Sequence, residues 1–413
     1  MKPPLPRAAP AAPPELPPLK SRAGPLLFLA AIFMVSFLSR IILAPLLVFL
    51  EADLQLSHEE AGELFGFISL GVSASLMGSG FVASRLNHRR TIVLSTVLIG
   101  VMLLITSLTT TAAAMKVCLV LLGTGAGLYF PSGIATVASL VRPKDLGKAI
   151  AIHELAPNAS FVLAPLLAEA FTRVAHWRVL LASFGVLALF MAAAFARLGR
   201  GGDFPGEEPR PAVLAQLVKR PSFWIMVVLL ALAVGAGFGI YTMIPLYLTV
   251  DRGFSREWAN TLTALSRVGG VAMALAAGWL VDRLGIKRAI AVFSAATGLA
   301  TVFLGWAPDA WVAAAVFLQP SVSVCFFPAG FAAISRIVPP SRRNVAVSFT
   351  SPLAIVLGAG GVPKLLGWLG DRDAFSSGFV ILGVLVLLSA VLPFFLSFEG
   401  EEPPPGPRPG KPE

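Results

Sequence analysis

Gly278-Trp279-Leu280-Val281-Asp282-Arg283-Leu284-Gly285-Ile286-Lys287-Arg288 stands between two apolar stretches, and a worn copy of it runs from Gly80 to Arg90. In the copy Ser84 stands where Asp282 does, Arg85 matches Arg283, and Asn87 matches Gly285. These matched positions are 198 residues apart. Phe130-Pro131 and Phe327-Pro328 repeat at a spacing of 197, and Pro45-Leu46 and Pro245-Leu246 at 200. Three landmarks in the same order at nearly one offset mean two related halves of about two hundred residues each.

Composition identifies the solvent. With 56% hydrophobic residues, 13% charged residues and a mean hydropathy of +0.81, the 413-residue chain has too little polar surface to cover a water-soluble globule. Apolar stretches long enough to cross a hydrocarbon core of about 30 Å fall near 25–50, 61–83, 91–112, 117–141, 149–171 and 178–197. Six more fall near 222–249, 258–281, 289–306, 311–337, 345–368 and 376–397. The expected fold is therefore an all-α membrane protein of twelve transmembrane helices in two pseudo-symmetric six-helix halves, 25–198 and 222–397. A duplicated helical half in so apolar a chain is the architecture of a transporter.

The net charge of +10 invites a nucleic-acid reading, and its distribution removes it. If both termini are cytoplasmic, the inner loops and tails hold 23 of the 32 Lys and Arg and the outer loops seven, with Arg40 and Arg267 left inside spans. That bias is the positive-inside rule, so the basic residues set topology and no nucleic-acid partner is needed. The chain is expected to be integral to a bacterial inner (plasma) membrane, in contact with lipid, and to work as a monomer. Residues 1–24 and 398–413 are Pro-rich tails expected to be disordered. Residues 199–221 read as the central cytoplasmic connection. The late, long first apolar run lacks a small-x-small site, which argues against a cleavable signal peptide. Cys118 and Cys325 each fall inside a span and read as packing residues, with no disulfide or metal framework.

The Gly-x-Leu-x-Asp-Arg-x-Gly-x-Lys-Arg string, its worn copy and the six-plus-six layout resemble the major facilitator superfamily over residues 25–397. Trp177-Arg178 and Gly123-x-Gly125-x-Gly127 fit the same pattern. Leu119 stands where an arginine is usual, and Ala164-Pro165-Leu166-Leu167 stands where the antiporter branch carries Gly-Pro-x-x-Gly-Gly, which weighs against drug/proton antiport.

The loop string also has a direct physical reading. Asp282, at the end of the eighth stretch, can pair with Arg283 or with N–H groups at a neighbouring helix N-terminus, and Gly285 permits the tight turn that follows. Asp282, Arg283, Gly285 and Arg85 are thus candidates for a latch that holds one of two domain arrangements. With Ser84 in place of a carboxylate, the latch is expected to be stronger in the C-terminal half. The alternative is a solvated loop charge beside a topology signal.

Arg40 and Arg267 are the costly residues. A cation at mid-span costs about 2.5–3.5 kcal/mol on insertion scales, so it should face protein, water or a ligand. Asn260, Thr263 and Arg267 share one helical face, and Ser36 lies one turn before Arg40. Two guanidinium groups that face one cavity repel each other unless an anion sits between them, and their planar forks suit carboxylate or phosphate oxygens. The Arg-x-x-x-x-Pro-Leu string at Arg40 looks like that of the anion:cation symporter branch, and Arg267 is similar to an arginine of monocarboxylate and oxalate transporters. The resemblance implies that these arginines bind the anionic group. The alternative is a structural counter-ion, most naturally of Glu154, or a side chain that snorkels to an interface.

Glu154 is the carboxylate placed deepest in a span, beside His153 and one turn before Asn158. Glu63 and Glu169 lie within about a turn of helix ends. Glu154 and His153 are candidates for proton coupling, since burial and a nearby cation move a carboxylate's affinity for protons in opposite directions. Otherwise the two hold the fifth helix in the bundle. Tyr129, Tyr241, Asn158 and Gln319 are weaker candidates for substrate contact, with core hydrogen bonding as the alternative. The many Phe and Trp residues read as mostly facing lipid, with no functional weight.

No Gly-x-x-x-x-Gly-Lys-Ser/Thr string occurs, and His153-Glu154 lacks a second His for a metal site. The chain is read as a transporter and not an enzyme, with no cofactor beyond a proton or sodium gradient. The leading expectation is proton-coupled symport of a small organic anion, a mono- or dicarboxylate, by alternating access. The alternative is a proton-coupled exporter of amphipathic, lipid-like or drug-like compounds, and a third class is a non-transporting sensor.

Overall fold

The computed structural model describes residues 19–208, 215–339 and 343–399. The extreme tails and residues 209–214 of the central connection lie outside the described residues. In chain order the spans are α1 (Leu19–Leu54), α2 (His58–Leu86), α3 (His88–Leu108), α4 (Ala112–Leu140), α5 (Pro143–Thr172) and α6 (Trp177–Leu198). The second half follows with α7 (Pro221–Asp251), α8 (Arg256–Ser266 continued by Gly270–Leu284), α9 (Ile286–Trp306), α10 (Asp309–Ile334), α11 (Ala346–Gly370) and α12 (Phe375–Phe395). No strand occurs among the described residues. Residues 19–24, read from sequence as tail, instead open α1.

Eleven of these helices are, among the described residues, long and apolar enough to cross a bilayer. α8 is in two pieces because the chain tightens at 267–269. There Arg267 N donates to Ala264 O (3.3 Å), Val268 N to Leu265 O (3.1 Å), and Gly270 N to Arg267 O (3.2 Å). Bonds to the third residue back are the 3-10 pattern, and consecutive Gly269 and Gly270 give the helix little reason to continue. α1 tightens in the same way just after Arg40. Pro45 has no N–H to give, and Leu46 N donates to Leu43 O at 3.0 Å. Both mid-span arginines therefore sit where a helix is interrupted.

Within each half the helices pack in matching pairs: α2 and α3 on α4, α3 on α6, α1 on α5, and in the second half α9 on α12 and α7 on α11. The glycine pattern of α4 has a steric cause, because a β-carbon on Gly123 would lie 2.2 Å from the Ile68 carbonyl oxygen of α2. The two loop copies share a backbone conformation as well. Asn87 has φ 72° and ψ 165°, and Gly285 has φ 75° and ψ 158°. Glycine holds that conformation freely, and Asn87 holds it while its side chain caps α3 by accepting from Arg90 N at 2.9 Å.

One end of the bundle is sealed between the halves. Asp371, in the α11–α12 turn, accepts from His58 N (2.7 Å) and Glu59 N (3.0 Å) and so caps α2 from the opposite half. Lys364 of α11 pairs with Glu63 of α2 at 2.8 Å, and Arg256 of α8 pairs with Glu169 of α5 at 3.1 Å. The other end, which carries the two loop copies and the central connection, is splayed. In the second piece of α8 Ala277 is the one buried residue among the described side chains. A β-carbon on Gly278 of α8 or on Gly147 of α5 would meet nothing within 4 Å. The first ten residues of the connection fold back on the N-terminal half. Arg89 N donates to Gly202 O (2.9 Å), His88 N to Phe204 O (3.2 Å), and Gly206 N to Ala83 O (3.0 Å).

Candidate functional site

Arg40 lies in the last turn of the first α1 segment, and Arg267 caps the C-terminus of the first α8 segment. Each cation thus meets the negative end of a half-helix, worth roughly half an elementary charge. The Arg40 side chain turns back along α1, as helical side chains do, and its guanidinium carbon lies 4.5 Å over the Phe37 ring. The Arg267 guanidinium carbon lies 4.8 Å over Phe161 of α5 and 4.6 Å over Tyr241 of α7. Its Nη2 donates to Gly237 O at 2.9 Å. That carbonyl is free because α7 widens to a π turn over Gly235–Gly239, and the neighbouring Ala236 O is taken by Gln319 Nε2 at 2.8 Å.

Four ring contacts connect the two guanidiniums across the molecule. Phe37 meets Phe161 edge to face at 5.2 Å, Phe161 meets Tyr241 at 4.8 Å, and Phe238 of α7 touches both Phe37 (6.5 Å) and Phe161 (6.2 Å). Phe37, Phe161, Phe238, Arg40 and Arg267 are all half-buried although they touch residues of the opposite half or of the bundle centre. They therefore line the interior space between the halves. The inward direction of these three phenylalanines was not readable from the sequence, because an aromatic residue gives the same hydropathy signal on either side of a helix, whereas others, such as Phe190 and Trp311, are exposed.

Among the described residues neither guanidinium has a carboxylate within 4 Å, and the Nε atoms of both, like the buried Ser36 Oγ, have no hydrogen-bond partner. Glu154 is not their counter-ion. Its ion-pair partner among the described residues is His153, at 3.5 Å. Cation–π contacts and a half-helix dipole offset part of the cost of insertion, at about 0.5–2 kcal/mol per contact. None of them carries a unit negative charge, and the interior stays positive.

His153 is fully buried, stacked on Phe33 at 4.5 Å, with Nε2 3.1 Å from the Tyr129 hydroxyl. The Tyr129 hydroxyl donates to Leu29 O at 2.7 Å, so the imidazole must donate to it from Nε2. His153 Nδ1 is left without a hydrogen bond, 3.5 Å from Glu154 Oε1, and Glu154 itself is 41% exposed. Asn158 is exposed and donates to its own Glu154 O at 2.8 Å. Tyr129 and Gln319 are buried with their polar atoms bonded internally, and Tyr241 gives its hydroxyl to Phe161 O at 3.0 Å. In this arrangement these three hold helices together.

The strongest carboxylate was passed over in the sequence because it lies near a helix end. Glu169, 9% exposed, accepts from Arg173 (3.1 Å), from Arg256 (3.1 Å) and from Asn260 (3.3 Å), the last two from the opposite half. The polar stripe of α8 pointed towards it through Asn260. Asp282, by contrast, is exposed and makes no ion pair among the described residues, Arg283 lies over Trp279 of its own helix at 3.9 Å, and Arg85 is exposed. The carboxylate missing at Ser84 is supplied from the connection, with Glu208 3.3 Å from the Ser84 hydroxyl and Asp203 3.5 Å from Arg89.

The sequence profile of the Major Facilitator Superfamily matches residues 29–351 and 257–413. Over 286 residues, 65% of this chain, the protein is 27% identical to monocarboxylate transporter 11 of Homo sapiens, and that match spans 59% of the human protein's length. It is 21% identical over 361 residues to NiaP of Bacillus subtilis (strain 168), a proposed niacin/nicotinamide transporter, covering 84% of this chain and 89% of that one. The crystal structure of a bacterial homologue of the human lysosomal transporter Spinster, inward-facing and occupied, superposes with a TM-score of 0.79 at 16% identity, over 91% of this chain and 96% of that one. With the two-half helical bundle and the repeated loop string, these matches place the chain in the major facilitator superfamily, and it is a membrane transporter and not an enzyme.

Proposed function

We propose that the protein is a secondary active transporter that moves a small organic anion, a mono- or dicarboxylate, together with a proton. The observation that carries this reading is the pair of interior guanidiniums, Arg40 and Arg267, one from each half, with no carboxylate partner among the described residues. An anion between the halves supplies the missing charge and gives both halves a reason to close on it. The name of monocarboxylate transporter 11 supports the same class. Alternating access fits a bundle sealed at one end and splayed at the other. By the charge bias the splayed end is cytoplasmic, with both termini, and the membrane is a bacterial inner membrane. Glu154 and His153 are the proposed proton carriers, and a sodium gradient is the alternative coupling ion.

A thermal-shift titration of the purified protein with carboxylates, repeated on Arg40→Lys and Arg267→Lys, tests the reading, because a ligand that binds the folded state stabilises it by mass action. Lysine keeps the charge and loses the fork, so affinity should fall by on the order of 1–3 kcal/mol in Arg267→Lys. Unchanged affinity in both variants would sink the anion reading. The half-buried Phe37, Phe161 and Phe238 favour the second reading, an exporter of amphipathic or lipid-like compounds, in which both arginines are helix-end ligands only.

A further inference from the structure

We infer that the anion taken between Arg40 and Arg267 is an aromatic carboxylate, with Phe37, Phe161 and Phe238 as the residues that select its body; this rests on the anion reading above. The face of each guanidinium is already covered by a ring, at 4.5 Å for Arg40 over Phe37 and 4.8 Å for Arg267 over Phe161. What remains for a ligand is the N–H periphery, including the two Nε atoms that have no partner. A carboxylate docked on that periphery lies beside the rings, and whatever is attached to it must pack on them.

Apart from the buried Ser36 Oγ, which has no partner, the polar atoms named at this site are already committed. The Tyr241 hydroxyl is given to Phe161 O, and Arg267 Nη2 to Gly237 O. A hydroxylated or zwitterionic body would leave its polar groups desolvated against phenylalanine, which costs binding. An apolar body is accepted, and a flat aromatic one gains more. The rings already meet one another at 71°, 82° and 73° (Phe37–Phe161, Phe37–Phe238, Phe161–Phe238), the edge-to-face geometry that their quadrupoles prefer. A further ring inserted among them continues that pattern, whereas a saturated ring of equal size gains area and no quadrupole term.

The experiment is a binding titration of the full-length purified protein with four probes: benzoate, cyclohexanecarboxylate, lactate and benzamide. Benzoate should bind about tenfold more tightly than cyclohexanecarboxylate, the size expected from one or two ring pairs, and lactate more weakly still. Phe238→Leu, at a ring that touches neither guanidinium, should lower the benzoate to cyclohexanecarboxylate ratio by about threefold, the size of one ring pair lost. Equal binding of benzoate and cyclohexanecarboxylate by the unaltered protein, lost in Arg267→Lys, would overturn the aromatic assignment and leave the anion reading standing. Benzamide binding as tightly as benzoate, unaffected by Arg267→Lys, would overturn both.

Discussion

Arg256 and Glu169 belong to different halves and form an ion pair of 3.1 Å at the sealed end, where Asn260 adds a third contact at 3.3 Å. Glu169 is 9% exposed, so removing its partner leaves a poorly solvated charge, and opening this end requires the same separation. Arg256→Gln should therefore shift the equilibrium towards opening of the sealed end by about 1–3 kcal/mol. Spin labels on cysteines placed at the exposed Val174 and Trp306, in a background without Cys118 and Cys325, read the separation of the two halves there. An unchanged distance distribution would show that the pair does not hold the seal.

Gly367 sits against α2 so closely that a β-carbon would lie 2.0 Å from the His58 carbonyl oxygen. Backbone atoms cannot step aside as a flexible side chain would, so Gly367→Ala should force α2 and α11 apart and lower Tm by several degrees, on the scale of about 1–3 kcal/mol for overpacking. Gly278→Ala is the control, since its β-carbon meets open space. Equal thermal stability of the two variants would contradict the close contact.

The fold was legible from the sequence because its causes are periodic or compositional: apolar run length, the 198-residue repeat and the charge bias. Arg40 and Arg267 were legible as interior groups because a mid-span cation has so few places to go. The ring cluster was not legible, since Phe37, Phe161 and Phe238 look like any lipid-facing residues until three helices from both halves are placed together. Glu169 was discounted because its position near a helix end made exposure the simpler reading. Its burial is created by Arg256 and Asn260, far off in the chain, and Tyr129 and Gln319 were spent on backbone carbonyls that only broken or neighbouring helices expose.

Asp282 makes no ion pair among the described residues in the arrangement splayed at its own end, so we propose that a latch involving it would belong to the opposite arrangement. Asp282→Asn should leave the Tm of the protein within about 1 °C, because a surface change away from contacts shifts stability by less than about 0.5 kcal/mol. Transport should slow several-fold, since the state closed at that end is less populated. Transport at the unaltered rate with normal expression would remove the latch, and a large fall in Tm would place Asp282 in a contact that this arrangement does not contain.

His153 and Glu154 set up the prediction about coupling. With Nε2 donating to Tyr129, the imidazole keeps Nδ1 as an acceptor 3.5 Å from Glu154 Oε1. In Glu154→Gln the amide N–H can donate to the same Nδ1, which preserves the stacking of His153 on Phe33 and should leave the fold intact. The amide cannot release a proton. Uphill uptake driven by a pH gradient should therefore fall to background, while exchange of labelled for unlabelled substrate, which needs the binding site and no net proton movement, continues within about a few-fold of the unaltered rate. The two assays in the same proteoliposomes separate coupling from binding. Full pH-driven uptake by Glu154→Gln would show that the proton travels by another group or that a different ion is used, and loss of exchange together with uptake would assign Glu154 to the binding site itself.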